Sequence, residues 1–217
     1  MVTLHILVEG GAYDAEVTSN VESLRQAFHD FFVRLLSRED IGIVVEMDAG
    51  NRNAAKRYLK DTSQYLWVDS DSKNPEDWFV SMDSGEHPIV FAAEQRVNIY
   101  FMIQEMEAWF LKQPECFDRW AQRAGYRRKA NKGAIAEDSR LAGRDVEAMT
   151  KPSHTVAMIV KRYFERVDAN GNVRDARYGK LSTSPAMLDA IDTDQLSSND
   201  NQLRKFRAAL ETIETIR

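Results

Sequence analysis

The sequence predicts an α/β fold in which helices cover a mostly parallel sheet. Short apolar runs alternate with segments of helical periodicity through the first half of the chain, which is the pattern of repeated strand–helix–strand units. The runs that predict strands are 4–8, 41–47, 65–68, 88–94 and 97–103, the last two supplying one or two strands. The predicted helices are 20–37, 51–59, 75–82 and 104–112. Ligand sites in such sheets gather at the carboxyl ends of the strands.

The second half of the chain is predicted to be a helical extension. Helices are expected at 114–124, 136–149, 152–165, 184–191 and 199–216. An Asn-Gly pair at 170–171 is typical of a turn that closes a hairpin. Tyr178 and Lys180 follow it and are expected on an exposed hairpin. Their side chains would either contact a phosphate or be solvated without a further role, and the sequence leaves both alternatives open. The domain prediction is an α/β core over 1–113 and a helical extension over 114–217 packed on that core.

Composition indicates a soluble globular protein of a reducing compartment. Of the 217 residues, 43% are hydrophobic and 29% are charged, and no apolar run approaches the roughly 20 residues that a membrane helix needs. The first residues lack the basic leader of a secretory signal. The one cysteine, Cys116, excludes an internal disulfide and is expected to be an ordinary packed thiol. We therefore expect a cytoplasmic protein that does not contact a membrane.

Charge is distributed unevenly along the chain. The net charge is −5, which argues against a general nucleic-acid binder, yet residues 119–151 hold nine basic and four acidic residues. A basic patch beside an acidic region can guide a phosphate backbone toward a metal site, and a solvated helical surface would have the same composition. The candidate nucleic-acid contacts are the arginines of 119–144, among them Arg127 and Arg128, together with Lys129, Lys151 and Lys180.

Acidic residues stand at the ends of three predicted strands. Glu9 closes the first strand, Asp69 and Asp71 close the third, and Glu105 and Glu107 follow the last. If these strands are parallel, their carboxyl ends meet at one edge of the sheet and bring the acids together. Oxygen ligands of this kind suit Mg²⁺ or Mn²⁺ rather than zinc, and the four scattered histidines form no competing cluster. Each acid taken singly also fits a helix cap or a solvated loop, so the prediction depends on their repetition.

Other catalytic templates are missing from the sequence. The stretch after Glu9 lacks the second and third glycines of a G-x-G-x-x-G dinucleotide loop, and no G-x-x-x-x-G-K-[ST] phosphate loop occurs. No G-x-S-x-G nucleophile elbow occurs either, which disfavours a serine hydrolase.

Three short motifs, taken in order, resemble a known family. The segments ILVEGG, VDSDS and IQEMEAWFL occur in the order seen in Toprim-like proteins, and the chain is most similar to a bacterial group known as domain-of-unknown-function family 4276. The resemblance continues into KPSHTVAMIVKRYF and RYGKLS and covers nearly the whole chain. The first motif departs from the family's usual Glu-Gly-x-Thr-Glu, because the next acids are Asp14 and Glu16 at a longer spacing. Both are left out of the catalytic set.

The resemblance implies a Toprim-like fold, which is a compact, mostly parallel sheet with helices on both faces. It also implies a divalent metal held by a glutamate and an Asp-x-Asp, and action on phosphodiester bonds. The matching metal and catalytic residues are Glu9, Asp69 and Asp71, with Glu105 or Glu107 completing the metal shell. Proteins similar to this chain often neighbour an ATPase of the AAA or ABC type in bacterial anti-phage defence loci.

The leading hypothesis is Mg²⁺- or Mn²⁺-dependent hydrolysis of phosphodiester bonds in DNA or RNA. Asp69 and Asp71 would hold the metal, and Glu9 would be the general base on the attacking water or the general acid for the leaving group. A second hypothesis is a non-catalytic regulatory or scaffolding subunit of an AAA- or ABC-type ATPase complex, which the altered first motif and the acidic first half favour. A third is an enzyme that acts on nucleotides or other small phosphates.

Overall fold

A four-stranded parallel sheet forms the centre of the fold in the computed structural model of the protein. The structure describes residues 2–10 and 18–211, so Asp14 and Glu16 lie outside the described residues. The strands are β1 (Val2–Glu9), β2 (Ile41–Asp48), β3 (Tyr65–Asp69) and β4 (Ile99–Met102). Their order across the sheet is β2-β1-β3-β4, and each neighbouring pair is parallel. The predicted α/β fold with a parallel sheet is confirmed.

The register of the strands brings the ends of β1, β3 and β4 to one edge of the sheet. Val8 of β1 lies beside Trp67 of β3, and Asp69 at the end of β3 lies beside Met102 at the end of β4. Since β1 ends one residue after Val8, Glu9 lies nearly level with Asp69. Acids at the ends of these strands therefore share one edge.

Helices cover both faces of the sheet. One face packs against α1 (Thr18–Leu36), and the other packs against α2 (Asn51–Tyr58) and α3 (Glu76–Asp83). Successive strand residues point to opposite faces, so Trp67 joins the core beside α1 while its neighbour Val68 joins the core beside α2 and α3. Strands β3 and β4 are thus buried from both sides, as parallel strands usually are, whereas the edge strand β2 is only partly buried.

The predicted strand at 88–94 is instead an irregular segment that ends in a 3-10 turn. Ile89 and Phe91 are buried, while Val90 between them is exposed. The apolar side chains that predicted a strand pack instead against α3, where the rings of Phe91 and Trp78 lie 5.4 Å apart. The apolar run that follows supplies β4 by itself.

The second half of the chain is mostly helical and packs on the first half. The first half ends with α4 (Glu107–Lys112), and the helices of the second half are α5 (Glu115–Arg123), α6 (Pro152–Tyr163), α7 (Lys180–Asp189), α8 (Thr193–Asn199) and α9 (Asn201–Glu211). A small antiparallel sheet is formed by β5 (Arg127–Arg128), β6 (Phe164–Val167) and β7 (Val173–Asp175). The Asn-Gly turn closes the predicted hairpin between β6 and β7, with Gly171 at φ 80°. Phe32 of α1 and Phe206 of α9 share one core, and the domain boundary near 113 remains a prediction.

The predicted helix at 136–149 is wrong, because the segment forms turns with two short 3-10 pieces. The Asp138 carboxylate accepts a hydrogen bond from the Arg140 amide at 2.9 Å. Asp145 does the same with the amide two residues further on, at 3.0 Å. Local bonds of this kind from side chain to backbone compete with the hydrogen bonds of a helix. The helical spacing of apolar residues gives no information about these competing hydrogen bonds.

Two composition-based expectations concern membrane spans and the single cysteine. Within 2–10 and 18–211, no helix combines the length and apolar character that crossing a membrane requires. Cys116 in α5 is a free, fully buried thiol, and its burial raises the pKa of the thiol. A thiol held in its protonated form is a poor nucleophile, so Cys116 is a packing residue.

Candidate active site

Two strand-end carboxylates, those of Glu9 and Asp69, meet at the carboxyl edge of the parallel sheet. The Asp69 amide donates a hydrogen bond to Glu9 Oε2 at 3.0 Å. The Asp69 side chain is turned inward, so that the residue is 5% exposed, and its Oδ1 accepts the Met106 amide at 2.9 Å. Met106 immediately precedes α4, so this helix fixes the orientation of the aspartate. The structure brings Glu9 and Asp69 together, as their positions at strand ends predict.

A lysine from the second half of the chain joins these acids. Lys180 Nζ lies 2.9 Å from Asp69 Oδ2 and 4.0 Å from Glu107 Oε2. Glu107 in the first turn of α4 is fully buried, whereas the Lys180 side chain at the start of α7 is 46% exposed. One ammonium thus compensates two buried carboxylates while remaining within reach of solvent. We refer to Glu9, Asp69, Glu107 and Lys180 as the acid–lysine cluster.

The Tyr178 hydroxyl holds Glu107 from its other side and is itself bonded to Ser184. Tyr178 Oη donates to Glu107 Oε1 at 2.6 Å and lies 2.7 Å from Ser184 Oγ. Within the described ranges, the buried Oε2 of Glu107 has no hydrogen-bond donor. The expectation that Tyr178 and Lys180 lie on an exposed hairpin is wrong, because Tyr178 is half-buried beside Glu107 and Lys180 begins α7 beside Asp69 and Glu107.

Asp71 lies in the loop after β3, where strand pairing has ended. Its backbone is left-handed, with φ 52°, and its amide donates to the Gln104 carbonyl at 3.0 Å. Its exposed carboxylate accepts a hydrogen bond from Asn51 Nδ2 at 3.1 Å, and Asn51 Oδ1 accepts the Trp78 indole N–H at 2.9 Å. The charge of Asp71 still contributes to raising the pKa of Glu9. Asp71 is therefore a neighbour of the cluster rather than a partner of Asp69 in it.

Glu105 serves the N-terminus of α6. Its Oε2 accepts the Ser153 amide at 2.8 Å, and its Oε1 lies 3.5 Å from Lys151 Nζ. Burial by itself would raise the pKa of Glu105, but the Ser153 hydrogen bonds and the Lys151 charge outweigh it and leave the pKa below its usual value. The positive end of the helix dipole also stabilises a carboxylate at this position. Both oxygens of Glu105 therefore have structural partners at α6.

The electrostatics of the cluster depend on burial. Burial and the nearby charge of Asp69 raise the pKa of Glu9 to about 7. Burial also raises the pKa of Asp69, against the opposing charge of Lys180. Withdrawal from water would lower the pKa of Lys180, but the charges of Asp69 and Glu107 outweigh this effect and raise it. The pKa of Tyr178 is raised by burial and by Glu107, which keeps the phenol protonated as a donor.

The cluster fits a divalent cation in its donor chemistry but not in its present spacing. Carboxylate oxygens are the ligands that Mg²⁺ and Mn²⁺ prefer, and the buried Oε2 of Glu107 lacks a donor. Among the residues that the structure describes, however, no three acids, histidines or cysteines are grouped so that they could hold a metal ion. Lys180 Nζ lies between Asp69 and Glu107 and supplies the positive charge there.

Five basic residues predicted to bind nucleic acid each lie beside an acid of the protein. Three of them lie at β5 and each pairs with an acid, namely Arg127 with Glu165, Arg128 with Asp118, and Lys129 with Asp175. Lys151 contacts Glu105, and Lys180 belongs to the acid–lysine cluster. Most of their charge is therefore compensated within the protein.

Sequence reasoning missed Asn51 and Tyr178 as contacts of the acids, and Ser184 as the partner of the Tyr178 hydroxyl. Asn51 begins α2 just after the end of β2, so the same strand-end rule that marked Glu9 could have found it. Tyr178 and Ser184 follow no strand of the parallel sheet. No local pattern marks them, because their position depends on how α7 packs against the rest of the fold.

Comparison with known proteins identifies a family. A family model described as "Domain of unknown function (DUF4276)" matches residues 20–211. No curated protein and no solved structure matches the chain. The matched range includes Asp69, Glu107 and Lys180, and it begins after Glu9.

Proposed function

The chain belongs to the family described as domain of unknown function (DUF4276), and from its acid–lysine cluster we propose that it is a Mg²⁺- or Mn²⁺-dependent phosphodiester hydrolase of the nuclease type with a Toprim-like fold. The observation that carries the proposal is the convergence of Glu9, Asp69 and Glu107 from three separate segments at one sheet edge. Gathering acids in this way costs free energy, and the pKa values of Glu9 and Asp69 are raised, as is common for acids at functional sites.

Glu9 is the residue that we assign to proton transfer. With a pKa of about 7, its carboxyl group is present in both protonation states near neutral pH. It can therefore remove a proton from an attacking water and return one to the leaving oxygen. Its Oε2 is held by the Asp69 amide, which leaves Oε1 to face a substrate.

The other members of the cluster bind and position. Asp69, oriented by the Met106 amide, and Glu107, held by Tyr178, would hold the divalent cation. When bound, the cation would neutralise charge on the phosphate and stabilise the leaving oxygen. Lys180 is half-exposed and would turn from Asp69 toward a non-bridging phosphate oxygen. We leave Glu105 out of the metal set, because both of its oxygens have partners at α6.

The wider biological setting is proposed from the family resemblance. The substrate would be DNA or RNA, the partner an AAA- or ABC-type ATPase, and the role anti-phage defence in the bacterial cytoplasm. Nucleotides and other small phosphates remain alternative substrates for the same chemistry. Asp71 would act at the rim of the site through its bond to Asn51.

The test is cleavage of labelled DNA and RNA by the purified full chain with Mg²⁺, Mn²⁺ or EDTA. Wild type should cleave at least one substrate when metal is present. Glu9→Gln should lower the rate by about 10²–10⁴-fold, the usual contribution of a general acid or base. Glu22→Gln, at an exposed position of α1, is the matched control and should keep full activity. Equal rates for wild type and both variants would remove Glu9 from the mechanism.

One observation favours a second candidate function, that of a non-catalytic subunit of an ATPase complex. Lys180 already compensates Asp69 and Glu107, and the described residues form no ready metal group. An ion pair of this kind can serve purely to join α7 to the sheet edge. Co-purification with an ATPase, together with no cleavage of any substrate by wild type, would favour this function over hydrolysis.

A further inference from the structure

A basic groove lies beside the candidate active site, between the 138–151 segment and α6. It encloses about 490 Å³. Its lining includes three cations and two hydroxyl side chains, contributed by Arg140, Arg144, Thr150, Lys151 and Thr155. We call these five residues the basic groove. Arg144, Thr150 and Lys151 are exposed, so a ligand can reach them from solvent.

The positive charge of the groove is not cancelled by its own lining. The lining includes one acid, Asp145, and Lys73 Nζ pairs with that acid at 2.7 Å. Arg144 donates its Nε to the Ser139 carbonyl at 3.1 Å, and no carboxylate in the described part of the chain forms an ion pair with it. Arg140 lies 3.3 Å from Asp138 and Lys151 lies 3.5 Å from Glu105, so Arg144 is the groove cation that differs from the basic residues at β5, each of which pairs with an acid.

Two contacts join the groove to the acid–lysine cluster. Lys151 Nζ lies 3.5 Å from Glu105 Oε1, and Glu105 immediately precedes Met106, whose amide holds Asp69. On the other side, Lys73 belongs to the loop that follows Asp69 and reaches the groove at Asp145. The groove is therefore linked to the segments that carry the acids, through Glu105 and through the loop that follows Asp69.

We propose that the basic groove binds the sugar–phosphate backbone of a nucleic-acid strand next to the phosphate that is cleaved. Guanidinium groups bind phosphate oxygens through paired hydrogen bonds, and lysine and threonine side chains are common partners of the backbone. The inference rests on the proposed function for its choice of ligand. It assigns backbone binding to Arg140, Arg144 and Lys151 and not to the basic residues at β5.

The test measures binding without cleavage. A fluorescein-labelled single-stranded oligonucleotide is titrated with the full chain in EDTA, and anisotropy gives the binding constant over about 50 to 200 mM salt. Replacing Arg144 and Lys151 together with alanine should lower affinity and reduce the slope of log binding constant against log salt by about 1.4, at roughly 0.7 per phosphate contact for a single strand. The matched control replaces Arg127 and Lys129 with alanine and should leave affinity and slope nearly unchanged.

Three outcomes would overturn the inference. The first is that wild type does not bind the oligonucleotide. The second is that wild type and the groove variant bind it equally although melting curves show both to be folded. The third is that the control variant loses as much affinity as the groove variant. Polyglutamate serves as a second probe, and groove-dependent binding of it as tight as that of the oligonucleotide would also overturn the choice of ligand. Hydrolysis of a small phosphodiester by a wild type that binds no oligonucleotide would leave the proposed function standing without the groove, which separates the two failures.

Discussion

Lys180 Nζ lies 2.9 Å from Asp69 Oδ2, although 111 residues separate the two in the sequence. The contact joins the first residue of α7 to the last residue of β3, so the candidate site is assembled from both halves of the chain. An uncompensated charge on buried Asp69 would cost several kcal/mol. The lysine therefore supplies the positive charge that a divalent cation would supply in its place.

Removing this ammonium should make the protein more dependent on metal. We expect Lys180→Met to lower the free energy of unfolding by about 1–3 kcal/mol, less than for a fully buried pair because the lysine is half-exposed. Excess MgCl₂ should then raise the melting temperature of the variant more than that of wild type, because the cation no longer competes with the ammonium. Lys60→Met, at an exposed position, is the control. An identical Mg²⁺ effect in all three proteins would contradict competition at this site.

The phenol of Tyr178 should contribute to stability through Glu107. Tyr178→Phe removes the donor to Glu107 Oε1 and leaves a buried carboxylate without its hydrogen bond, which should lower the free energy of unfolding by about 1–3 kcal/mol. Urea unfolding measures this loss. Tyr126→Phe is the matched control, since the Tyr126 ring stacks on Trp120 and should keep that contact. A Tyr178→Phe protein as stable as wild type would show that the bond does not stabilise the cluster.

Gly10 should matter for the position of Glu9. Its φ of 146° is rarely adopted by other residues, and a Cβ there would meet Met47 Cε at 2.8 Å. We expect Gly10→Ala to lower the free energy of unfolding by roughly 1–3 kcal/mol and also to lower the cleavage rate by displacing Glu9. Gly85→Ala shares the positive φ in open space away from the site, so it should lose stability but not activity. Equal activities in the two variants would show that Gly10 does not position Glu9.

Asp138 should make stability depend on pH in the acid range. Burial would raise its pKa, but the Arg140 amide and the Arg140 and Arg162 guanidinium groups outweigh that and hold the pKa below the usual 3.8. A depressed pKa contributes stability that is present above 3.8 and is lost as pH falls through the folded-state pKa.

Asp138→Asn should therefore be less stable than wild type near neutral pH, and the gap between the two should narrow as the pH falls below 3.8. Urea unfolding at a series of pH values measures the gap. Asp194→Asn, which alters a mostly exposed carboxylate paired with Arg207, is the control and should show a smaller gap at every pH. A constant gap between wild type and Asp138→Asn would contradict a depressed pKa.

The meeting of Glu9 and Asp69 could be predicted because it depends on local signals. Each acid ends an apolar run, and parallel strands end at a shared edge. The place of Lys180 could not be predicted, because it depends on the packing of α7 against α1 and α5. The same limit applies to Arg127, whose charge is visible in the sequence while its cross-strand partner Glu165 is not.

The predictions of a strand at 88–94 and of a helix at 136–149 failed because the sequence pattern does not show which other groups these residues contact. Ile89 and Phe91 alternate with Val90 as strand residues do, yet their partners are side chains of α3. In 136–149, the Asp138 carboxylate accepts a hydrogen bond from the Arg140 amide, which favours a turn over a helix. The sequence shows where the apolar residues are in both segments, but it does not show that the first packs on α3 or that Asp138 bonds to a backbone amide in the second.

Binding of Mn²⁺ tests the central claim most directly, since the claim is that acids from distant parts of the chain form one cation site. Electron paramagnetic resonance of the full chain titrated with Mn²⁺ counts the bound ions. We expect one tightly bound Mn²⁺ per chain in wild type and in the exposed control Glu22→Gln, and its loss in Asp69→Asn. No tight Mn²⁺ binding by wild type, or unchanged binding by Asp69→Asn, would contradict the claim.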